Sequence, residues 1–140
     1  IFKSQPMKKV VYFIIVTCLT LFYNSCSKSE GTGGQALING KVIVANINVL
    51  GDTLATYDAQ DQEVFIIYGN TNNTHDDNTE TSYDGTFEFK FLNPGEYTIF
   101  TYSDCIDCPK GNDSLIMRNV SILEREEKIE IADIYVANFI

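Results

Sequence analysis

The most regular alternation of apolar and polar residues in the chain is DGTFEFKFLNPGEYTIFTYS, residues 84–103. Phe87, Phe89 and Phe91 alternate with polar residues, which predicts a strand with three aromatic rings on one face. The Pro94-Gly95 pair that follows suits the central positions of a tight turn. The segment therefore predicts two antiparallel strands joined as a hairpin.

The second strand of this hairpin places Tyr97 and Ile99 on one side. Phe100 and Tyr102 project from the opposite side, where two interpretations stay open. Either the second sheet of a sandwich covers them, or they form an exposed aromatic patch for a glycan or a protein. They are the candidate binding residues of the sequence.

Other segments carry the same period of two. Strand patterns occur at residues 36–44, 63–68, 115–123 and 128–136. Gly51 and Asp52 indicate either a small hairpin or a long loop between residues 46 and 62. The apolar phase changes between Ile129 and Ile134, which predicts a bulge near Asp133. Six or seven short strands without a helical period predict an all-β sandwich.

The N-terminal part of the chain has the pattern of an export signal. Lys8 and Lys9 precede an apolar run of 14 residues, 10–23, which is short for a membrane-spanning helix. The run ends in Asn24-Ser25-Cys26, which resembles a bacterial lipoprotein signal of the Bacteroidetes type. This resemblance implies a lipid on Cys26 and an anchor in the cell envelope, at the outer membrane. An ordinary secretory signal with a nearby cysteine is the alternative.

These features divide the chain into three parts. Residues 1–25 are an upstream extension and a signal peptide, residues 26–35 a lipidated flexible tether, and residues 36–140 the sandwich. The tether is predicted because SKSEGTGGQ, residues 27–35, is small, polar and glycine-rich.

The charge of the chain argues against one class of partner. The sequence has 19 acidic and 10 basic residues, for a net charge of −9, and three of the lysines precede Cys26. Such an acidic surface repels phosphate backbones, so we expect no binding to nucleic acid.

The order of the strand motifs resembles a known family. Gly40-Lys41-Val42, VFIIYG at residues 64–69, the DGTFEF and LNPGEYTIFTY segments, and IEIADIYV at residues 129–136 are similar to carboxypeptidase regulatory-like domains. The resemblance implies a prealbumin-like (transthyretin-like) Greek-key sandwich of seven antiparallel strands. It also implies an accessory or display module, although a fold does not by itself decide an activity.

The sequence lacks the residues on which enzymes near this fold depend. Hydroxyisourate hydrolase relies on several histidines, and a zinc carboxypeptidase needs a His-x-x-Glu pair with a further histidine. This chain has a single histidine, His75. We therefore expect no enzymatic activity and no cofactor.

Cys105-Ile106-Asp107-Cys108 is the most specific short motif. Two cysteines at this spacing form a disulfide, half of a zinc site or a redox couple. Zinc takes four ligands and a redox pair normally begins a helix, whereas residues 109–112 predict a turn. The sequence favours a disulfide between Cys105 and Cys108. A periplasmic metal- or redox-handling protein that uses this pair is the alternative function.

One polar loop contains several oxygen ligands of the kind that calcium binds. The candidate metal ligands are Asp76, Asp77, Asn78, Glu80 and Asp84. Their spacing does not match an EF-hand, and a solvated loop without metal explains the same composition.

The sequence therefore predicts a lipid-anchored, non-enzymatic β-sandwich of the cell envelope. We expect it to act as an accessory binding or structural module for an envelope protein or a polysaccharide.

Overall fold

The computed structural model describes residues 29–69, 74–108 and 113–140. Within these ranges it contains nine strands: β1 (Thr32–Ile47), β2 (Thr53–Asp58), β3 (Glu63–Tyr68), β4 (Asp77–Glu80), β5 (Thr86–Leu92), β6 (Gly95–Asp104), β7 (Asp113–Ile122), β8 (Lys128–Glu130) and β9 (Ile134–Phe139). No helix in the described part of the chain is long and apolar enough to cross a membrane. The predicted signal peptide and Cys26 lie outside the described residues.

The strands form two sheets. The first sheet is built around β1, which has 16 residues and pairs with four other strands. β5 and β2 follow one another along one edge of β1, and β8 and β9 follow one another along the other edge. The second sheet has the order β4-β3-β6-β7. The predicted all-β sandwich is confirmed.

Two details of the predicted sandwich differ from the structure. The described residues contain nine strands instead of seven, because each edge of the long β1 is divided between two shorter strands. The first sheet is also mixed instead of wholly antiparallel, since β8 and β9 run parallel to β1. β8 and β9 run parallel to β1 because β7 ends at the same end of the sandwich at which β1 begins. β8 therefore starts from that end and runs in the direction of β1.

The core lies between the two sheets and is formed by the inward residues of both. Ile38 and Val42 from β1 meet Ile66 from β3 and Tyr97 and Ile99 from β6, all of them almost completely buried. Every buried polar side-chain atom in the described ranges has a hydrogen-bond partner. The hydrophobic burial that stabilises the fold is therefore not reduced by unpaired polar groups.

The predicted hairpin between residues 84 and 103 is wrong, although both of its strands exist. β5 pairs with β1 in the first sheet, whereas β6 pairs with β3 and β7 in the second sheet. Phe91 adopts a left-handed φ of 60° and is 68% exposed, so Leu92 takes the inward position instead. This change of phase and the following Pro94 carry the chain across to the other sheet.

The first strand begins four residues earlier than the predicted boundary at Ala36. The sequence predicts residues 32–35 as flexible tether because they are small, polar and glycine-rich, but Gly34 is required for close packing. A Cβ atom at this position would overlap the backbone carbonyl of Leu92 and lie 2.7 Å from the nitrogen of Asn93. The glycine here permits a backbone contact instead of conferring flexibility.

Two other predictions about the strands concern a turn and a bulge. Of the hairpin and the long loop that the sequence leaves open between residues 46 and 62, the structure shows the hairpin: β1 pairs with β2, and the Asn48 side chain accepts hydrogen bonds from the turn. Ile129 pairs with Ile38 and Ile134 pairs with Val42. The chain from Ile129 to Ile134 is therefore one residue longer than the segment of β1 from Ile38 to Val42 with which it pairs. This extra residue is the bulge predicted near Asp133.

Candidate functional site

The strongest candidate site is a cleft of about 440 Å³ in the half of the sandwich farthest from Thr32. We call it the tyrosine cleft. Its lining comes from β2, from the loop before β3, from the ends of β6 and β9, and from the start of β7. Polar and aromatic lining residues include Tyr57, Gln60, Gln62, Tyr102, Asp104, Asp113 and Asn138.

The strand pairing brings these residues together. Tyr57 on β2 lies opposite Val44 of β1, near the far end of that strand. β6 and β7 remain in register to their last pair, Asp104 and Asp113. The cleft lies where β9 and β6 approach each other, and there the Ala137 backbone N–H donates to Ser103 Oγ at 2.7 Å.

Hydrogen bonds fix the amide side chain of Gln62 at the cleft. Its Nε2 donates to Thr101 Oγ1 at 2.9 Å, and its backbone N–H donates to Thr81 Oγ1 at 2.9 Å. Thr81 and Thr101 are both buried. Since the partners cannot move far, Gln62 presents its amide group to the cleft in one orientation.

The charge of the cleft is negative. Asp104 and Asp113 face each other across β6 and β7, and the lining residues in the described part of the chain include no lysine or arginine. Like charges in opposed positions of a sheet repel each other. The cleft therefore favours neutral or cationic groups over anionic ones.

Two tyrosines border the cleft from different faces, and both are about half exposed: 48% for Tyr57 and 46% for Tyr102. Tyr57 lies opposite Val44 and faces the space between the sheets, whereas Tyr102 lies at the rim of the cleft, on the outer face of the second sheet. The Tyr102 ring lies against Phe65 and Phe100, with ring centroids 5.7 and 6.0 Å away and nearly perpendicular planes. These contacts hold one edge of the ring while much of it faces solvent. Tyrosine in this state offers an apolar face together with a polar hydroxyl.

The aromatic group around Tyr102 lies on the outer face of the second sheet. Phe65 stacks on Phe100 at 5.0 Å between ring centroids, and the His75 ring covers Phe65 at 4.7 Å. Phe100 is buried by these neighbours and not by the other sheet, whereas Tyr102 remains accessible. Of the two predicted binding residues, only Tyr102 therefore presents a large accessible ring.

The structure does not bring the candidate calcium ligands together. Alternation along β4 sends Asp77 and Asn78 to opposite faces of the sheet. Asp76 accepts a hydrogen bond from the Tyr68 backbone at 2.7 Å, and Asp84 accepts from Thr86 at 2.6 Å. No group of three or more histidine, cysteine, aspartate or glutamate residues suited to a metal occurs in ranges 29–69, 74–108 and 113–140.

Cys105 and Cys108 are joined by a disulfide. The bond closes the chain immediately after Asp104, a residue that lines the tyrosine cleft. In this state neither sulfur is a thiolate that could bind a metal or attack a substrate.

A second, larger cleft of about 570 Å³ lies beside β4 and β5. Its lining is polar, and its aromatic residue Phe87 is buried in the core. The ion pair between Lys90 and Glu88, 2.7 Å, occupies part of its surface. Its lining in the described part of the chain has no exposed ring, so the tyrosine cleft is the better candidate.

Sequence reasoning identified Tyr102 but missed Tyr57, Gln60, Gln62 and Asn138. These residues are far apart in the chain, and pairing of β1 with β2 and β9 is needed to bring them to one place. The available signal was the hairpin around Gly51, because its returning strand carries Tyr57.

Comparison with known proteins gave structural similarity only. No family model and no curated protein matches the sequence, so the resemblance to carboxypeptidase regulatory-like domains stays a prediction. A Pseudomonas aeruginosa crystal structure described as a "putative carbohydrate binding protein" has 13% identity and a TM-score of 0.45, over 85% of this chain and 96% of the other. (S)-Allantoin synthase has 8% identity and a TM-score of 0.38, over 74% of this chain and 42% of the other. Neither similarity is close enough to bear on function.

Proposed function

We propose that this protein is an exported, lipid-anchored and non-catalytic glycan-binding module. The observation that carries the proposal is the tyrosine cleft, in which two half-exposed tyrosines border a surface of amide and carboxylate groups. The proposed ligand is a neutral or amino-bearing polysaccharide of the cell envelope or its surroundings.

The chemistry of the lining suits a sugar. A pyranose ring has a face of C–H groups that packs on an aromatic ring, and tyrosine provides such a surface. The hydroxyl groups of the sugar both donate and accept hydrogen bonds, as do the amides of Gln60 and Asn138, and Gln62 offers its Oε1 as an acceptor while Thr101 holds its Nε2. Charged residues are depleted at the centre of protein–protein interfaces, whereas Asp104 and Asp113 line this cleft. The lining of this cleft is mainly polar.

The position of the cleft agrees with an N-terminal anchor. β1 begins near the end of the chain that would carry the lipid and extends for 16 residues, about 50 Å at 3.3 Å per residue. The cleft lies near the far end of this strand, beside Val44. A lipid on Cys26 would therefore leave the cleft directed away from the membrane.

Binding of the purified full chain to a panel of polysaccharides tests the proposal. We expect retention on neutral glucans and amino-sugar polymers and none on polyuronates, because Asp104 and Asp113 repel carboxylates. Tyr57→Ala and Tyr102→Ala should each weaken binding by about tenfold or more, equivalent to about 1.4 kcal/mol. Calorimetric titration with the preferred oligosaccharide measures these changes.

Tyr135→Ala is the matched control, because Tyr135 is 55% exposed on β9 but does not line the cleft. It should bind as the native chain does. Equal losses in all three variants, or no retention on any polysaccharide, would overturn the glycan proposal. Release of shorter sugars from the bound polymer would overturn its non-catalytic part.

The anchor and the competing function are tested separately. Cys26→Ala should abolish incorporation of labelled fatty acid and release the protein from the membrane fraction. Mass spectrometry of the exported protein, with and without reductant, should show a stable Cys105–Cys108 disulfide and no bound zinc. Stoichiometric zinc or rapid thiol cycling would favour a metal- or redox-handling protein instead.

A further inference from the structure

β7 is the edge strand of the second sheet, and its edge is only lightly protected, because Asp113 and Arg118 are its two charged residues. It has ten residues and pairs with β6 without a register shift from Asp113 to Ile122. No other strand in the described part of the chain pairs with its outer edge. Soluble proteins normally protect such edges with bulges, prolines or lysines, but β7 contains neither proline nor lysine. β4, at the opposite edge, has only four residues.

The pairing of β6 shows which β7 residues direct their backbone groups outward. The Glu96 carbonyl accepts a hydrogen bond from Gly69, next to β3, at 2.7 Å. Even-numbered residues of β6 therefore bond towards β3 and odd-numbered residues bond to β7. Since Tyr97 lies opposite Val120, the even-numbered residues of β7 bond to β6. The odd-numbered residues from 113 to 121 direct their N–H and C=O groups to the outer edge.

The sequence of β7 is complementary to itself. Leu115, Ile116 and Met117 form an apolar run, and Leu115 and Met117 are 53% and 52% exposed on the outer face. In an antiparallel pair centred on Ile116, Leu115 lies opposite Met117 of a second copy. Arg118 then lies opposite Ser114, and Asp113 opposite Asn119, so no like charges face each other. A register centred on Arg118 would oppose two guanidinium groups.

We propose that β7 forms a symmetric dimer with β7 of a second copy, paired antiparallel about Ile116. The charge of β7 is consistent with β7 of a second copy as its partner. The chain as a whole has a net charge of −9 and repels itself, but β7 carries one acid and one base and is locally neutral. Arg118 Nη1 donates to the Met117 carbonyl at 3.0 Å. That oxygen has a second lone pair, which can accept the N–H of Leu115 from the other copy.

The dimer would combine two second sheets into one sheet of eight strands. Tyr102 lies opposite Leu115 on the outer face. The Tyr102 side chains of both copies would therefore face the same side of one continuous sheet. If the tyrosine cleft binds a polymer, two clefts on one assembly would bind it with higher apparent affinity than one.

Cysteine cross-linking in the full chain tests the dimer and its register without any glycan. Leu115→Cys and Met117→Cys variants, with different tags, are co-expressed in the exporting cell and analysed without reductant. We expect a covalent dimer that contains both tags, at least tenfold more abundant than dimers of either variant alone. The parent chain, with its native cysteines, gives the background.

Several results would overturn the proposal. They are the absence of the mixed dimer, equal cross-linking in all combinations, and capture of a different protein by Met117→Cys. Asn119→Pro provides an independent check, because this proline removes an outward N–H that β6 does not use. Added to both cysteine variants, it should abolish the mixed dimer while the circular-dichroism spectrum stays that of a β protein. A mixed dimer that persists with this proline would also contradict the pairing.

Discussion

The two ends of β1 differ in how they are covered. At the N-terminal end, the backbone around Gly31 is fixed by Tyr97, whose hydroxyl accepts from the Gly31 N–H at 3.0 Å and donates to the Asn93 carbonyl at 2.6 Å. At the other end, Val49 and Leu50 of the β1–β2 turn are 85% and 83% exposed. One end is closed by buried hydrogen bonds, and the other holds the turn, the disulfide and the tyrosine cleft.

This difference separates stability from binding within one sandwich. Binding surfaces lie commonly on loops that a rigid scaffold positions, and here the scaffold is rigid at the end without the cleft. Substitutions at the closed end should therefore change stability strongly. Substitutions at the open end should change stability little, and those in the cleft should change binding.

Gly34→Ala should have the largest effect on stability. The added methyl group would overlap the Leu92 carbonyl, and a backbone neighbour cannot rotate away as a side chain can. We expect a loss of about 3 kcal/mol in the free energy of unfolding. For a domain of this size the melting temperature should fall on the order of 12 °C. Thermal unfolding followed by circular dichroism measures it.

Gly51→Ala is the matched control at the open end. A Cβ atom at residue 51 would meet nothing within 4 Å, although its φ of 89° disfavours alanine. Its cost should be that of backbone strain alone, about 1 kcal/mol. A larger loss for Gly51→Ala than for Gly34→Ala would contradict the distinction between the ends.

Tyr97→Phe should have the next largest effect. It leaves the ring in place but removes the hydroxyl, so the Gly31 N–H and the Asn93 carbonyl lose a buried partner. Such a loss costs about 2 kcal/mol. Tyr135→Phe, at an exposed position, should cost almost nothing. Denaturant unfolding of both variants gives the comparison, and equal midpoints would show that the hydroxyl does not stabilise this end.

Removal of the disulfide should have a smaller effect. The bond spans only three positions in the sequence, so it restricts the unfolded chain little and contributes less than about 2 kcal/mol. The double variant Cys105→Ser/Cys108→Ser should therefore melt above Gly34→Ala. Because the bond adjoins Asp104, the same variant should weaken glycan binding more than its change in stability predicts. A melting temperature below that of Gly34→Ala would refute this ranking.

The fold was largely predictable from the period-two pattern, because inward and outward residues alternate in a strand whatever its partner is. The pattern contains no information on which strand pairs with which. The hairpin predicted at residues 84–103 is wrong for that reason. Phe91 has a left-handed φ and is exposed in the structure, where β5 pairs with β1 instead of with β6. Gly34 was likewise interpreted as flexible because its close contact with Leu92 involves residues far apart in the sequence.

The candidate site was less predictable than the fold. Tyr102 could be identified because alternation along the strand puts its side chain on the face away from Tyr97 and Ile99. Tyr57 could not, because its role depends on a hairpin that joins the far end of β1 and on the approach of β9 to β6. Residues that border this cleft come from different strands and from both faces of the second sheet, so they share no periodicity with one another.

Asp84→Asn should have the smallest effect, and the effect should depend on pH. Hydrogen bonds from the Thr86 side chain and backbone lower the pKa of Asp84 below its ordinary value. The carboxylate therefore contributes stability that is fully present above about pH 4, the pKa of an unfolded aspartate. That contribution is lost as the pH falls through the lower folded pKa. The melting temperatures of Asp84→Asn and the native chain should thus differ slightly at pH 7 and converge as the pH falls below 4. A difference that grows in acid would show that the carboxylate does not stabilise this turn.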